Sequence, residues 1–193
     1  MESAFEITEL HRRVGNLLKI GRIEEVNYAG MIPLCRVRIA DLLTGWLPML
    51  ALRAGPDNCW WPLEINEQVM VLSPSGDPVQ GVVLGAINQQ QFPAQADRPD
   101  IHRVVYADGA VIEYDRTAHH LEAVLPGGST TKLVSDGGVS IVGDVTVTGH
   151  IKATGEITDH TRSMQADRDI FNGHTHSGVK SGGSSTASPN EKQ

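Results

Sequence analysis

A chain of 193 residues accommodates one ordinary domain or two small ones and excludes a large multi-domain enzyme. Hydrophobic residues at 40%, together with 20 glycines, bring the apolar share to about half, as in a folded chain and unlike a disordered one. Sixteen Lys and Arg against 23 Asp and Glu leave a formal charge of −7, which removes the positive field that attracts polyanions and counts against a nucleic-acid or anionic-membrane binder.

The first twenty residues lack the basic-then-apolar layout of a secretory signal, and no run approaches the ~20 apolar residues that span a bilayer. A soluble protein made in the cytoplasm is expected. Cys35 and Cys59 are the only cysteines, too few for a disulfide framework and without a CxxC pattern, so both are read as small core residues.

From Phe5 to Leu18 the apolar residues Ile7, Leu10, Val14, Leu17 and Leu18 recur at three- and four-residue steps, which predicts a helix with an apolar stripe and Gly21 as its stop. A barrel of this size need not cover the whole stripe, so the helix is expected to serve as a docking surface. Five short extended runs then follow between turn residues: Arg22–Val26, Leu34–Ile39, Trp46–Ala51, Gln68–Leu72 and Gly81–Ile87. The run Ser73–Pro78, rich in Pro, Gly and Ser, separates the last two as a turn or loop. Five strands in about seventy residues predict a small barrel, for which the OB-fold is the commonest closed answer.

A polar, proline-bearing stretch from Gln89 to Pro99 reads as a linker. Beyond it, Asp108-Gly109 sits between two β-rich runs, Val104–Ala107 and Ala110–Tyr114, the signature of a hairpin. From Pro126 to Gln193 there is one aromatic residue, Phe171, and one leucine, Leu133, while 11 of the 20 glycines fall here. So few bulky side chains cannot build a conventional core, yet the apolar residues present are mostly Val and Ile, which favour strands.

A six-residue repeat explains the combination. Val139, Val145, Ile151 and Ile157 occupy position one of four successive hexads, Ile141, Val147 and Ala153 position three, and Gly143, Gly149 and Gly155 position five. Positions one and three share a face of a strand, and glycine at five supplies a corner with positive φ. A single-chain β-helix uses three hexads per coil, so this run gives little more than one turn, whereas about three stacked repeats are needed for stability. Three identical chains wound about one axis resolve the shortage, each giving one side of a triangular prism.

Near the end stands His174-Thr175-His176. In an extended segment the two imidazoles face the same way, and on a threefold axis the pair becomes six. Zinc prefers four ligands and cupric ions tetragonal sites, so six equivalent nitrogens point to Fe(II) or Ni(II), with availability favouring iron. With every position filled by protein, such a metal is a structural pin. His119, His120, His150 and His160 are expected at the surface, the first two on opposite faces of a strand.

This order of elements, with Ile112-Glu113-Tyr114-Asp115 in the hairpin and His-x-His after the glycine-cornered repeat, resembles the central spike, or baseplate assembly protein V, of contractile-tailed phages and R-type pyocins. The resemblance implies an all-β chain in which an N-terminal helix and a small OB-fold barrel precede a trimeric intertwined β-helix needle. It implies one iron per trimer, as Fe2+, held by His174 and His176 of three chains, and a homotrimer that joins the baseplate hub and tail-tube proteins. The particle, a virion or a bacteriocin assembled in the bacterial cytoplasm, then carries the spike at its baseplate tip and drives it through a target outer membrane. On this reading the segments are 1–20 helix, 21–91 barrel, 92–102 linker, 103–160 hairpin and β-helix, and 161–193 metal-binding apex with a Gly/Ser-rich tail.

An enzyme is not expected. The interval from about Gln91 to Val139 is too short for the lysozyme domain some relatives carry, and no GxSxG, P-loop or HExxH occurs. A hexapeptide-repeat acyltransferase is the alternative, but four hexads are too few for an acyl-donor cleft. A nucleic-acid-binding OB module has stacking surfaces in Trp46, Trp60 and Trp61, yet the net charge opposes it, and Trp60 and Trp61 beside Pro62 are expected to pack in the barrel or its interface.

Overall fold

The computed structural model describes residues 2–174 together with 182 and 183. It falls into two compact units, Met1–Lys132 and Leu133–Gln193.

The first unit opens with helix α1, Glu2–Leu17, which passes without a linker into strand β1, Leu18–Asn27. Gly21 does not stop the helix. It lies inside β1, where a Cβ would come within 2.5 Å of Val37 Cγ1 and 2.6 Å of the Arg38 carbonyl oxygen. Its role is close approach between neighbouring strands.

Strands β2 (Leu34–Ile39), β3 (Leu42–Leu43), β4 (Leu47–Pro48), β5 (Gln68–Leu72) and β6 (Val82–Ile87) complete the barrel. All pairings are antiparallel, in the order β3-β2-β1-β5-β6, with β4 also on β2. The circuit closes where Met49, just past β4, bridges Val83 of β6 and the Leu50 amide donates to the Val83 carbonyl at 2.8 Å. Alternation fills the interior: Cys35 and Val37 of β2, Val69 and Val71 of β5, Ile23, Leu47, Met49 and Val83 form the buried core. The intervening Arg36 and Arg38 point outward and pair with Glu25 at 2.9 Å and Glu24 at 2.8 Å across β1. Burial pushes the Cys35 thiol up to about 11, as expected of an inert core sulfur, whereas Cys59 is only half-buried.

A three-stranded sheet follows: β7 (Ile101–Val105), β8 (Val111–Asp115) and β9 (His120–Val124). The expected Asp-Gly hairpin joins β7 to β8, the Gly109 amide donating to the Tyr106 carbonyl at 2.9 Å. β9 extends it by a strand. His119 stands in the turn at φ 53°, so His119 and His120 do not share a strand as their adjacency suggested, although both are exposed. The two faces of this sheet differ. One carries His102, Val104, Ile112, Tyr114, Leu121 and Ala123, while the other sets Ile101, Val105, Val111 and Val124 beside Arg103 paired with Glu113, and Asp115 paired with Arg98 at 2.5 Å. Trp61 stacks on Tyr106 with ring centroids 6.2 Å apart, and Trp60 meets Tyr28 edge-on at 6.1 Å, so these tryptophans flank the barrel and do not fill it.

Candidate functional site

The second unit contains the hexad repeat and the first of the two paired histidines. Gly143 and Gly149 hold φ at 128° and 142°, a region that disfavours residues with a side chain. These are two of the three corners the repeat specifies. Gly155 turns without a positive φ. No Cβ placed at any of the three would meet another atom within 4 Å, so conformation and not crowding selects glycine here.

Between the corners the chain is unpaired. Among the described residues, no backbone hydrogen bond is made from 139 to 156, and no strand is formed. Val139, Ile141, Val145, Val147, Ile151 and Ile157 are all exposed. An apolar face left open together with unmet amides and carbonyls is costly in both respects, because burial stabilises by about 25 cal/mol per Å² and backbone groups require partners.

Order returns at the end of the repeat. Thr158 bridges Ser163, the Met164 amide donates to the Ile157 carbonyl at 2.9 Å, and the Asp159 carboxylate accepts from the amides of Thr161 and Arg162 at 2.6 and 2.9 Å. The Arg162 and Thr161 amides hold the Asp159 carboxyl below the usual carboxylate range. Ser163 then caps a helix, its hydroxyl accepting from the Ala166 amide at 3.1 Å. This helix, α2 (Met164–Gly173), was not expected from the sequence. Its face of Met164, Asp167, Arg168, Phe171 and Asn172 lines a shallow hollow.

α2 delivers His174. The helix carries Phe171, Asn172 and Gly173, and His174 follows it with φ −68° and ψ 143°. The ring Nδ1 lies in hydrogen-bond contact with the Phe171 carbonyl, and the imidazole leans on the Phe171 ring at a centroid distance of 5.5 Å. The capping serine three residues before Ala166 was the available signal for this helix. His176, the other expected ligand, lies outside the described residues. Among the described residues, no three His, Cys, Asp or Glu side chains of one chain converge as a metal cluster, and no helix is long and apolar enough to cross a membrane.

Comparison with known proteins bears on both units. Residues 19–87, which span β1 to β6, match the type VI secretion system/phage-baseplate injector OB domain. Over 174 residues, covering 90% of this chain and 79% of the relative, the sequence is 29% identical to the spike protein of Escherichia phage P2. The match begins one residue into β1 and ends where β6 ends, so the barrel built around Ile23, Val37, Val69 and Val83 is the matched element. Residues 19–87 thus resemble an injector OB domain, and the chain that carries them is similar over most of its length to a phage spike protein.

Proposed function

We propose that three copies of this chain wind their 139–160 segments into one β-helical needle, which contraction of a tail sheath drives through the outer membrane of a target bacterium. The barrel, residues 21–91, joins the needle to the baseplate hub and tail tube through the linker at 92–102. The hairpin region from 103 leads into the needle, and 161–193 forms its apex and tail. The particle is a contractile phage tail or an R-type bacteriocin, assembled in the bacterial cytoplasm. A spike acts by transmitting force, so the role is structural and not enzymatic.

One observation carries this reading: the hexad residues expose their apolar side chains and leave their backbone unpaired within one chain. Neighbouring copies supply what is missing, since strands from three chains pair edge to edge while their first- and third-position side chains meet on the axis. The phage relationship of the chain supports the same assignment.

At the apex, His174 and His176 of three chains offer six imidazoles to one iron ion. The end of α2 suits this, because the Phe171 carbonyl fixes the orientation of the His174 ring. A metal pin there offsets the scarcity of apolar side chains beyond Ile157.

Native mass spectrometry of the purified chain tests the assembly. A particle of about 62 kDa is expected, three times the 20.8 kDa chain. A folded monomer at micromolar concentration overturns the needle. Elemental analysis tests the pin: one iron per three chains is expected in the parent and none in the His174→Ala, His176→Ala double variant, which still forms trimers. Metal that persists in that variant refutes the ligand assignment.

A further inference from the structure

Helix α1 is oriented against the ordinary rule for a surface helix. Among its residues whose burial is described, Glu9 and Asn16 are the half-buried ones, and they share a helical face with Arg13. At Gly76 a Cβ would lie 2.4 Å from the Arg13 carbonyl oxygen, so the helix backbone rests directly on the turn at Pro74–Gly76. The apolar stripe lies on another side of the helix and faces water, with Ile7 52%, Leu10 59% and Val14 57% exposed. A helix normally turns such a stripe inward.

The stripe is narrow and regular. Ile7, Leu10, Val14 and Leu17 follow a three-four-three spacing, the a and d positions of a heptad, with β-branched residues at both a positions and leucine at both d positions. Beside the seam, Glu6 takes a g position and His11 the e position of the following heptad. In a parallel coiled coil these two meet across the interface, carboxylate against imidazole. Among the described residues neither makes an ion pair within its own chain, whereas Arg13, the other g residue, is already held by Glu9 at 2.7 Å.

We propose that the α1 helices of neighbouring copies pack against one another as a short parallel coiled coil, sealed by Ile7, Leu10, Val14 and Leu17 and set in register by Glu6 of each copy facing His11 of the next. This rests on the trimeric reading above. Cyclic symmetry makes the helices parallel. Sixteen residues are too few to hold a coiled coil alone or to select its strand number. Needle assembly brings the helices together, and the seam in turn ties the copies at the end of the chain remote in sequence from the apex.

Cysteine trapping in the full-length protein tests this, with oxidised glutathione as the oxidant. Leu10→Cys places a thiol at d, and Arg12→Cys places one on the outer side of the same helix. The parent, with its own Cys35 and Cys59, is the blank. Disulfide-linked pairs of chains are expected to form at least about tenfold faster for Leu10→Cys than for Arg12→Cys, because the seam holds neighbouring thiols at high effective concentration. Adding Glu6→Lys slows the trapping of Leu10→Cys, and adding His11→Glu as well restores it. Native mass spectrometry on the same samples separates the two ways to fail. A trimer in which Leu10→Cys and Arg12→Cys react alike overturns the coiled coil, leaves the needle standing and assigns the stripe to another baseplate protein. A monomer overturns both.

Discussion

The barrel and the repeat use the same side chains, Val and Ile in alternation, with opposite results. In β5, Val69 and Val71 are sealed inside a barrel whose strands all find partners in the same chain. In the hexads, Val145 and Val147 alternate just as regularly and stay in water. What differs is closure. A run of five strands with turns between them can curl until its edges meet, as Met49 and Val83 do. Among the described residues, the hexads cornered by glycine find no edge of their own chain to pair with. Apolar alternation alone thus does not make a strand, and the connections decide whether it finds a partner within the chain.

Substitution of one inward residue in each region separates the two cases most sharply. Val147→Asp places three carboxylates together in a narrow apolar interior, which is expected to abolish trimer formation while leaving the barrel folded. Native mass spectrometry and circular dichroism read the two consequences separately. Leu47→Ala in the barrel does the converse: loss of a fully buried side chain is expected to lower unfolding stability by about 2–5 kcal/mol, independent of protein concentration. If Val147→Asp assembles normally, or if it unfolds the barrel as well, the contrast between the regions collapses.

The corners offer a finer test. Gly149 at φ 142° cannot take a β-branched residue without strain, so Gly149→Val is expected to cost about 1–3 kcal/mol per chain, multiplied threefold in a trimer. Gly155 has no positive φ, so Gly155→Ala is expected to leave assembly unchanged. Thermal melts of the two variants side by side check this. Equal effects would mean that backbone conformation is not what the repeat asks of glycine.

The sequence made the barrel legible because its signals are local. Leu34–Ile39 and Gln68–Leu72 coincide with β2 and β5 residue for residue, each a β-branched alternation flanked by turn residues. Trp46–Ala51 contracts to Leu47–Pro48, since Pro48 has no amide to continue a ladder. Gly21 misled because a glycine after a helical pattern resembles a stop, and only the packing of β1 on β2 shows why it is there. β9 escaped notice because its turn relies on His119 in a left-handed conformation, which composition does not announce. α2 was hidden by the polar run Gln165-Ala166-Asp167-Arg168-Asp169, although Ser163 as its cap was visible. The hexads were legible as a pattern, but among the described residues of one chain they find no partners.

Acid supplies the mildest probe of the comparison. Each unit holds a turn through a carboxylate that accepts backbone amides: Asp115 from Ala118 and Thr117 in the first, with Arg98 beside it, and Asp159 from Arg162 and Thr161 in the second. Both carboxyls are held below their ordinary value, so what they contribute is fully present above the unfolded value of about 3.9 and is lost as pH falls through the lower folded one. The buried residues of the barrel include no charged group, so its core is indifferent to this titration. Lowering the pH from 6 towards 2 is therefore expected to lower the protection of the Thr117, Ala118, Thr161 and Arg162 amides, taken relative to an unstructured chain at the same pH, while the amides of β2 and β5 keep theirs. Asp159→Asn is expected to weaken the 158–163 turn at pH 6 about as far as acid does in the parent. If the turn amides are equally protected at pH 6 and pH 2, the carboxylates do not hold them, and the entry into α2 is fixed by the Ser163 cap and the contact of Met164 with Ile157 alone.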